Sequence, residues 1–148
     1  YRGRFILGFK GCRCCGWGNR MVEWINDVPL KSPLAELEKK YGLPLPDDLK
    51  KLITAYNKGQ PRPNRIPLGN GKSAEFYRLL SFNKGDNLSV FDCFDSEMKA
   101  RQIFPFAMTE NGNYICLKEN AVILYNVEHN AEKYLCDSVS VLLGMLTD

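Results

Sequence analysis

Apolar and polar positions alternate most clearly between Ile103 and Glu128. An apolar block, Ile103-Phe104-Pro105-Phe106-Ala107, is followed by the polar loop Thr109-Glu110-Asn111-Gly112 and then by two β-rich runs. These runs, Asn113 to Leu117 and Ala121 to Val127, are joined by the turn Lys118-Glu119-Asn120. Tyr114 with Cys116, and Val122 with Leu124, fall at alternate positions, which predicts a half-buried antiparallel hairpin. Asn111-Gly112 supplies residues that tolerate positive φ ahead of it.

Upstream the period changes. Val22, Trp24-Ile25 and Val28 stand at near-helical spacing and predict a short leading helix that ends at Pro29. Ser32-Pro33 reads as a hydroxyl cap followed by a first-turn proline. Leu34, Leu37 and Tyr41 then share a face, and Gly42 suits the left-handed position that ends a helix. A second helix begins at Leu45-Pro46-Asp47-Asp48, with Leu49, Leu52, Ile53 and Tyr56 as its buried stripe. The two helices are expected to form a compact hairpin. Gln60 to Asn64 reads as a proline-punctuated loop and Ile66-Pro67-Leu68 as an edge segment. Glu75 to Phe82 reads as a strand with Phe76 and Leu80 in one alternating set, although Leu79 breaks the alternation. Tyr134-Leu135-Cys136 is a short segment, and Asp137-Ser138 caps a last helix with Val139, Leu142, Leu143 and Leu146 as its stripe.

Helices, then a run of strands, then one closing helix predict an α+β single domain. Its mainly antiparallel sheet carries an N-terminal helix pair and a C-terminal helix. At 148 residues the chain has room for one core, and its composition is that of an ordinary globular protein. No apolar run approaches the ~20 residues of a membrane span, so a soluble cytoplasmic protein is expected.

Charge divides the chain. Residues 1–20 hold Arg2, Arg4, Lys10, Arg13 and Arg20 and no acid, so the net +3 of the whole leaves −2 on residues 21–148. We read residues 1–20 as a basic tail, non-native or accessory to a domain over 21–148. A basic aromatic arm built on Phe5, Phe9 and Trp17 is the other reading of that tail. A −2 balance argues against nucleic-acid binding by the folded domain, which would need a basic face.

The six cysteines read as reduced and structural, with Cys116 and Cys136 in apolar runs. Cys12-x-Cys14-Cys15 lacks the second half of a tetrahedral metal site. Gly69-Asn70-Gly71-Lys72-Ser73 lacks the spacing of a phosphate loop. A Cys–His hydrolase would have to pair His129 with Cys93, Cys116 or Cys136, but no nucleophile signature accompanies them. No catalytic residue, metal or cofactor is expected.

Three motifs in order resemble the SUKH superfamily, which includes bacterial immunity proteins and yeast regulators of cell-wall synthesis. They are residues 37–52 around Gly42-Leu43-Pro44-Leu45-Pro46, the block 103–107 followed by Gly112 to Leu117, and Val122 to His129 with the Asp137-Ser138 helix. The resemblance covers about Pro33 to Leu146. It departs at Asn57-Lys58-Gly59, where Asn-Gly-Gly is common in the family, and at Lys118, where an acid often stands. It implies a binding protein without catalysis. The expected partner is a cognate polymorphic or contact-dependent toxin, which a mildly acidic body would suit were it a nuclease. A regulatory scaffold for an endogenous partner is the alternative.

Candidate partner-facing residues are the acids Asp86, Asp92, Asp95 and Glu97, the aromatics Phe91 and Phe94, and Glu110 in the loop of the central motif. Trp24 and Tyr77 are further anchor candidates, although aromatics in periodic runs more often belong to the core.

Overall fold

The structure is a computed structural model that describes residues 4–6 and 21–148. The cysteines at 12, 14 and 15, and the proposed aromatic arm apart from the Arg4–Ile6 backbone, lie outside the described residues.

Among the described residues the fold comprises two sheets and five helices, and it is α+β as the element order predicts. The small sheet holds β1 (Arg4–Ile6), β2 (Met21–Ile25) and β3 (Gln60–Arg62), all antiparallel. The large one is a six-stranded antiparallel meander in chain order. Its strands are β4 (Arg65–Gly69), β5 (Lys72–Leu79), β6 (Ile103–Thr109), β7 (Tyr114–Lys118), β8 (Ala121–Asn126) and β9 (Ala131–Cys136).

The leading segment is therefore a strand and not a short helix. Val22 and Trp24 point to one side and are buried, while Glu23 pairs with Arg62 and Ile25 with Gln60. Period 2 prevails over the apparent helical spacing because the strand finds a partner in 60–62. For the same reason Gln60 to Arg62 is a strand where prolines suggested loop. Trp24 is core, stacked on Tyr56 at 5.8 Å and edge-on to Phe76 at 6.1 Å.

α1 (Leu34–Tyr41) and α2 (Asp47–Tyr56) fall where the pattern places them. Gly42 takes φ 66° and its N–H donates to the Glu38 carbonyl, ending α1. The Ser32 hydroxyl does not cap α1: Pro33 occupies the cap position, and Ser32 Oγ accepts from the Lys84 N–H instead. The Glu38 carboxylate turns back to accept from the Leu45 N–H at 2.7 Å, which fixes the connection to α2. The helix packed most closely on α2 is α5 (Val139–Met145), so the expected α1–α2 hairpin gives way to an α2–α5 contact. Asp48 makes the link by accepting from both the N–H and the hydroxyl of Ser140 at 2.9 Å. Ser138 caps α5 as predicted, accepting from the Val141 N–H at 3.1 Å.

The central hairpin is buried on both faces, not half-buried. Ile115, Leu117 and Val122 enter the main core with Phe104, Phe106, Leu52 and Leu142. On the opposite face Cys116, Ile123 and Tyr125 form a second cluster with Ile103 and Met98. Met98 belongs to α4 (Ser96–Arg101), a helix that the sequence pattern did not reveal, preceded by the single turn α3 (Val90–Cys93). Bulges explain the broken alternations. An extra residue between Phe76 and Arg78 lets Leu79 face the core beside Leu80. Another at Pro105–Ala107 puts Phe106 and Ala107 in the same cluster.

Gly59 lies where α2 meets the small sheet. A Cβ there would stand 2.9 Å from the Tyr56 carbonyl oxygen and 3.2 Å from Trp24 Cε3. Gly59→Ala is expected to lower unfolding stability by about 1–3 kcal/mol, through overpacking against rigid neighbours. Urea unfolding checks this, the midpoint falling with an unchanged slope.

Candidate functional site

Three adjoining depressions follow α1. The largest, about 580 Å³, is lined by Tyr41, Leu43, Phe94 and Ile103, with Lys40 and Lys99 also bordering it. A second of about 270 Å³ shares Leu43, Gln102 and Glu119 with the first and reaches Phe104 and Leu117. A third of about 160 Å³ shares Lys40 and is bordered by Phe91. Together they make one groove between α1, the α3–α4 segment and the β7–β8 turn.

Aromatic contacts build the groove floor. Phe94 meets Tyr41 edge-on at 5.1 Å and Phe104 at 5.3 Å, and Tyr41 also lies 6.1 Å from Phe91. Such edge-to-face contacts hold ring orientation as well as burying area. Burial pushes the Tyr41 phenol above its ordinary pKa. Gln102 ends α4 at φ 60°, turning the chain directly into β6 beside the groove.

The expected anchors Phe91 and Phe94 are thus brought together, both half-buried at the groove. The acids are not. Asp86 lies apart in the 83–87 loop, where it accepts from Ser81 Oγ at 2.7 Å and from Asn83 Nδ2 at 3.1 Å. Asn83 in turn receives the Lys31 N–H at 2.6 Å and donates to the Pro29 carbonyl at 2.8 Å. Buried Asn57 completes the network, accepting from the Phe82 N–H at 2.8 Å and donating to Ser81 Oγ at 3.3 Å. Asp86 therefore ties the loop to the α1 approach, and the Ser81 and Asn83 hydrogen bonds hold its carboxyl below the usual carboxylate range.

Asp95 caps α4, accepting from the Met98 N–H at 2.9 Å. Glu97 pairs with Arg101 at 2.8 Å, and Arg101 reaches on to Glu132, which also receives Lys118. Asp92 is exposed and its carboxylate has no partner among the described residues. Glu110 lies elsewhere, bordering a depression of about 470 Å³ with Glu75, Asn111 and Asn113. Tyr77 is half-buried beneath Arg78, 5.3 Å from its ring.

The residues missed from sequence are Lys40, Tyr41, Leu43, Lys99 and Gln102. Tyr41 read as part of a helical stripe, and the α4 residues had no visible periodicity to place them.

Among the described residues, the thiols of Cys93, Cys116 and Cys136 lack the environment of a nucleophile, which needs a lowered pKa. Desolvation raises all three: Cys93 and Cys116 upward from the ordinary thiol value, and Cys136 to about 11. His129 is exposed in the β8–β9 turn. Among the described residues no cluster of His, Cys, Asp or Glu has the arrangement of a metal site, and no helix is long and apolar enough to cross a membrane.

An antiparallel meander joined to this helix order, with the Gly-Leu-Pro connection after α1, is the architecture expected of a SUKH-type domain. Residues 31–145 match the model of the SMI1 / KNR4 family (SUKH-1), and the chain belongs to that family. A role that involves a protein partner fits this family. No curated protein and no solved structure matches the chain significantly.

Because Asp86 is ionised more readily in the fold than in the unfolded chain, its contribution is present above the unfolded value of about 4. It is lost as pH falls through the lower folded value. Asp86→Asn is expected to be less stable than the parent at pH 7, with the difference shrinking below about pH 4. Chemical unfolding at pH 7, 5 and 3 reads this directly, and a pH-independent difference would deny the ionised latch.

Proposed function

We propose that this chain is a non-catalytic binding protein that neutralises a cognate polymorphic or contact-dependent bacterial toxin in the cytoplasm. The observation that carries this reading is the groove along α1. Its floor of Tyr41, Leu43, Phe94 and Ile103 is preformed, recessed and aromatic, as the central anchors of tight protein interfaces are. Membership of the SMI1 / KNR4 family supports the binding role.

The mechanism in this reading is occlusion, and the preformed aromatic groove supports it. In that mechanism the domain covers the toxin's active site or a neighbouring surface, and its rigid face limits the ordering cost of association. The −2 charge of residues 21–148 and the unpartnered Asp92 favour capture of a positively charged partner surface, such as that beside a nuclease's substrate groove.

Where a toxin is encoded beside this gene, cells that express it are expected to grow when the full chain is co-expressed, and a stable stoichiometric complex should be purified from them. Failure of both rescue and complex formation would sink the immunity reading, and an endogenous protein recovered stably with the chain would then favour a regulatory scaffold. If the protein acts without catalysis, Cys93→Ser and His129→Ala should each rescue as well as the parent. Loss of rescue by either variant, with the protein still folded, would reinstate an enzymatic reading.

A further inference from the structure

We propose that the groove along α1 takes an acidic segment of the partner protein carrying one bulky aliphatic or aromatic anchor. This deepens the binding reading above and rests on it, by assigning the site and the chemistry that fills it.

The argument begins with two lysines. The Lys40 ammonium lies 5.3 Å from the Phe91 ring centroid and 5.6 Å from that of Tyr41. The Lys99 ammonium lies 5.6 Å from the ring centroid of Phe94. Both side chains are exposed and border the largest depression. Neither has a carboxylate partner among the described residues, whereas Lys50, Lys118 and Arg101 all do. An ammonium held over an aromatic face is positioned without being neutralised, so its charge remains available to a ligand. Two such cations with an apolar hollow between them call for carboxylates flanking a hydrophobic side chain.

The hollow has the dimensions for that anchor. At about 580 Å³, opening into a further 270 Å³ through Leu43 and Gln102, it exceeds what one large side chain fills and admits its neighbours in the segment. Its floor is held by the Tyr41–Phe94–Phe104 contacts, so the site exists before the ligand arrives.

Charge also discriminates against the other polyanions. Glu119 stands in the groove wall, and Asp92 and Asp95 project from the adjoining α3–α4 segment. A nucleic-acid backbone, which spreads its charge continuously, meets repulsion there. A short peptide places two or three carboxylates at the lysines and turns away from the acids. Asp92, exposed and unpartnered among the described residues, remains free to meet basic residues elsewhere on the partner.

The test uses the isotope-labelled full chain titrated with synthetic peptides. One carries Asp and Glu around a Leu or Phe, a second has Lys in place of the acids, and a third keeps the acids but replaces the anchor with Ser. A short oligonucleotide is the fourth probe. The acidic anchored peptide should shift the amides of 40–43, 94 and 99–103, and the other three should not. Lys40→Glu with Lys99→Glu should weaken that peptide roughly tenfold. Both positions are exposed, so the variant's spectrum should otherwise match the parent's.

The inference is overturned if the acidic anchored peptide does not bind, if the Lys-containing peptide or the oligonucleotide binds the groove equally well, or if the double variant binds undiminished. Equal capture of the toxin by parent and double variant would also overturn it, while leaving the immunity reading in place.

Discussion

The structure depends on a strand with almost no side facing water. Of β6, Ile103 to Ala107 are all buried, and only Met108 is partly exposed before Thr109 is buried again. A strand of this kind must be covered on both faces, and most of the architecture follows from that requirement. One face is covered by the main core, where Phe104 and Phe106 meet Leu52, Phe82 and Leu142. The other is covered by α4 through Met98, packed with Ile103, Cys116, Ile123 and Tyr125. The hairpin β7–β8 inherits the same double burial because its residues continue those two layers in register.

Burial so complete raises the cost of polar groups that enter it, and most that do are paired, Trp24 Nε1 and Arg78 Nε being buried without a hydrogen-bond partner among the described residues. Asn57, Ser81, Asn83 and Thr109 are buried, and each has hydrogen-bond partners. Leaving such groups unmatched would cost far more than the net gain of a hydrogen bond at the surface. The Asn57–Ser81–Asn83–Asp86 network therefore works as a set of fixed positions joining the end of α2, the end of β5 and the approach to α1. It also explains why Asp86, read as a partner-facing acid, is part of the framework. Beyond the second layer, Lys118 and Arg101 hold the Glu132 carboxyl below its ordinary range, a surface arrangement that ties α4 to β7 and β9.

The candidate site is a by-product of this packing. α1 is carried over the start of β6, and α3–α4 wraps the other side of it, so the two leave a groove whose floor is the edge of the core. Phe91 and Phe94 stood out in the sequence because two aromatics stand among acids in a short irregular stretch, and the structure places both at the groove. Lys40 and Lys99, 59 positions apart in the chain, were not, since only the approach of α1 to α4 places them on the same opening. A carboxylate in sequence carries no mark of whether it caps a helix, as Asp95 does, joins a pair, as Glu97 does, or stands unpartnered, as Asp92 does.

By itself the sequence determined the α+β class, the helices α1, α2 and α5 with their buried stripes, and the hairpin β7–β8. Each is written in local periodicity and in turn or cap chemistry that acts over a few residues. It also carried the ordered motifs by which the family is recognised. Tertiary structure decided the rest. β2 is a strand because residues 60–62 lie beside it, and α4 is a helix whose single buried residue, Met98, finds its partners across the sheet. Bulges at Phe76–Arg78 and Pro105–Ala107 set which side of the sheet a residue meets, and the groove exists only where distant elements converge. Such outcomes depend on pairings between segments far apart in the chain, and no local pattern contains them.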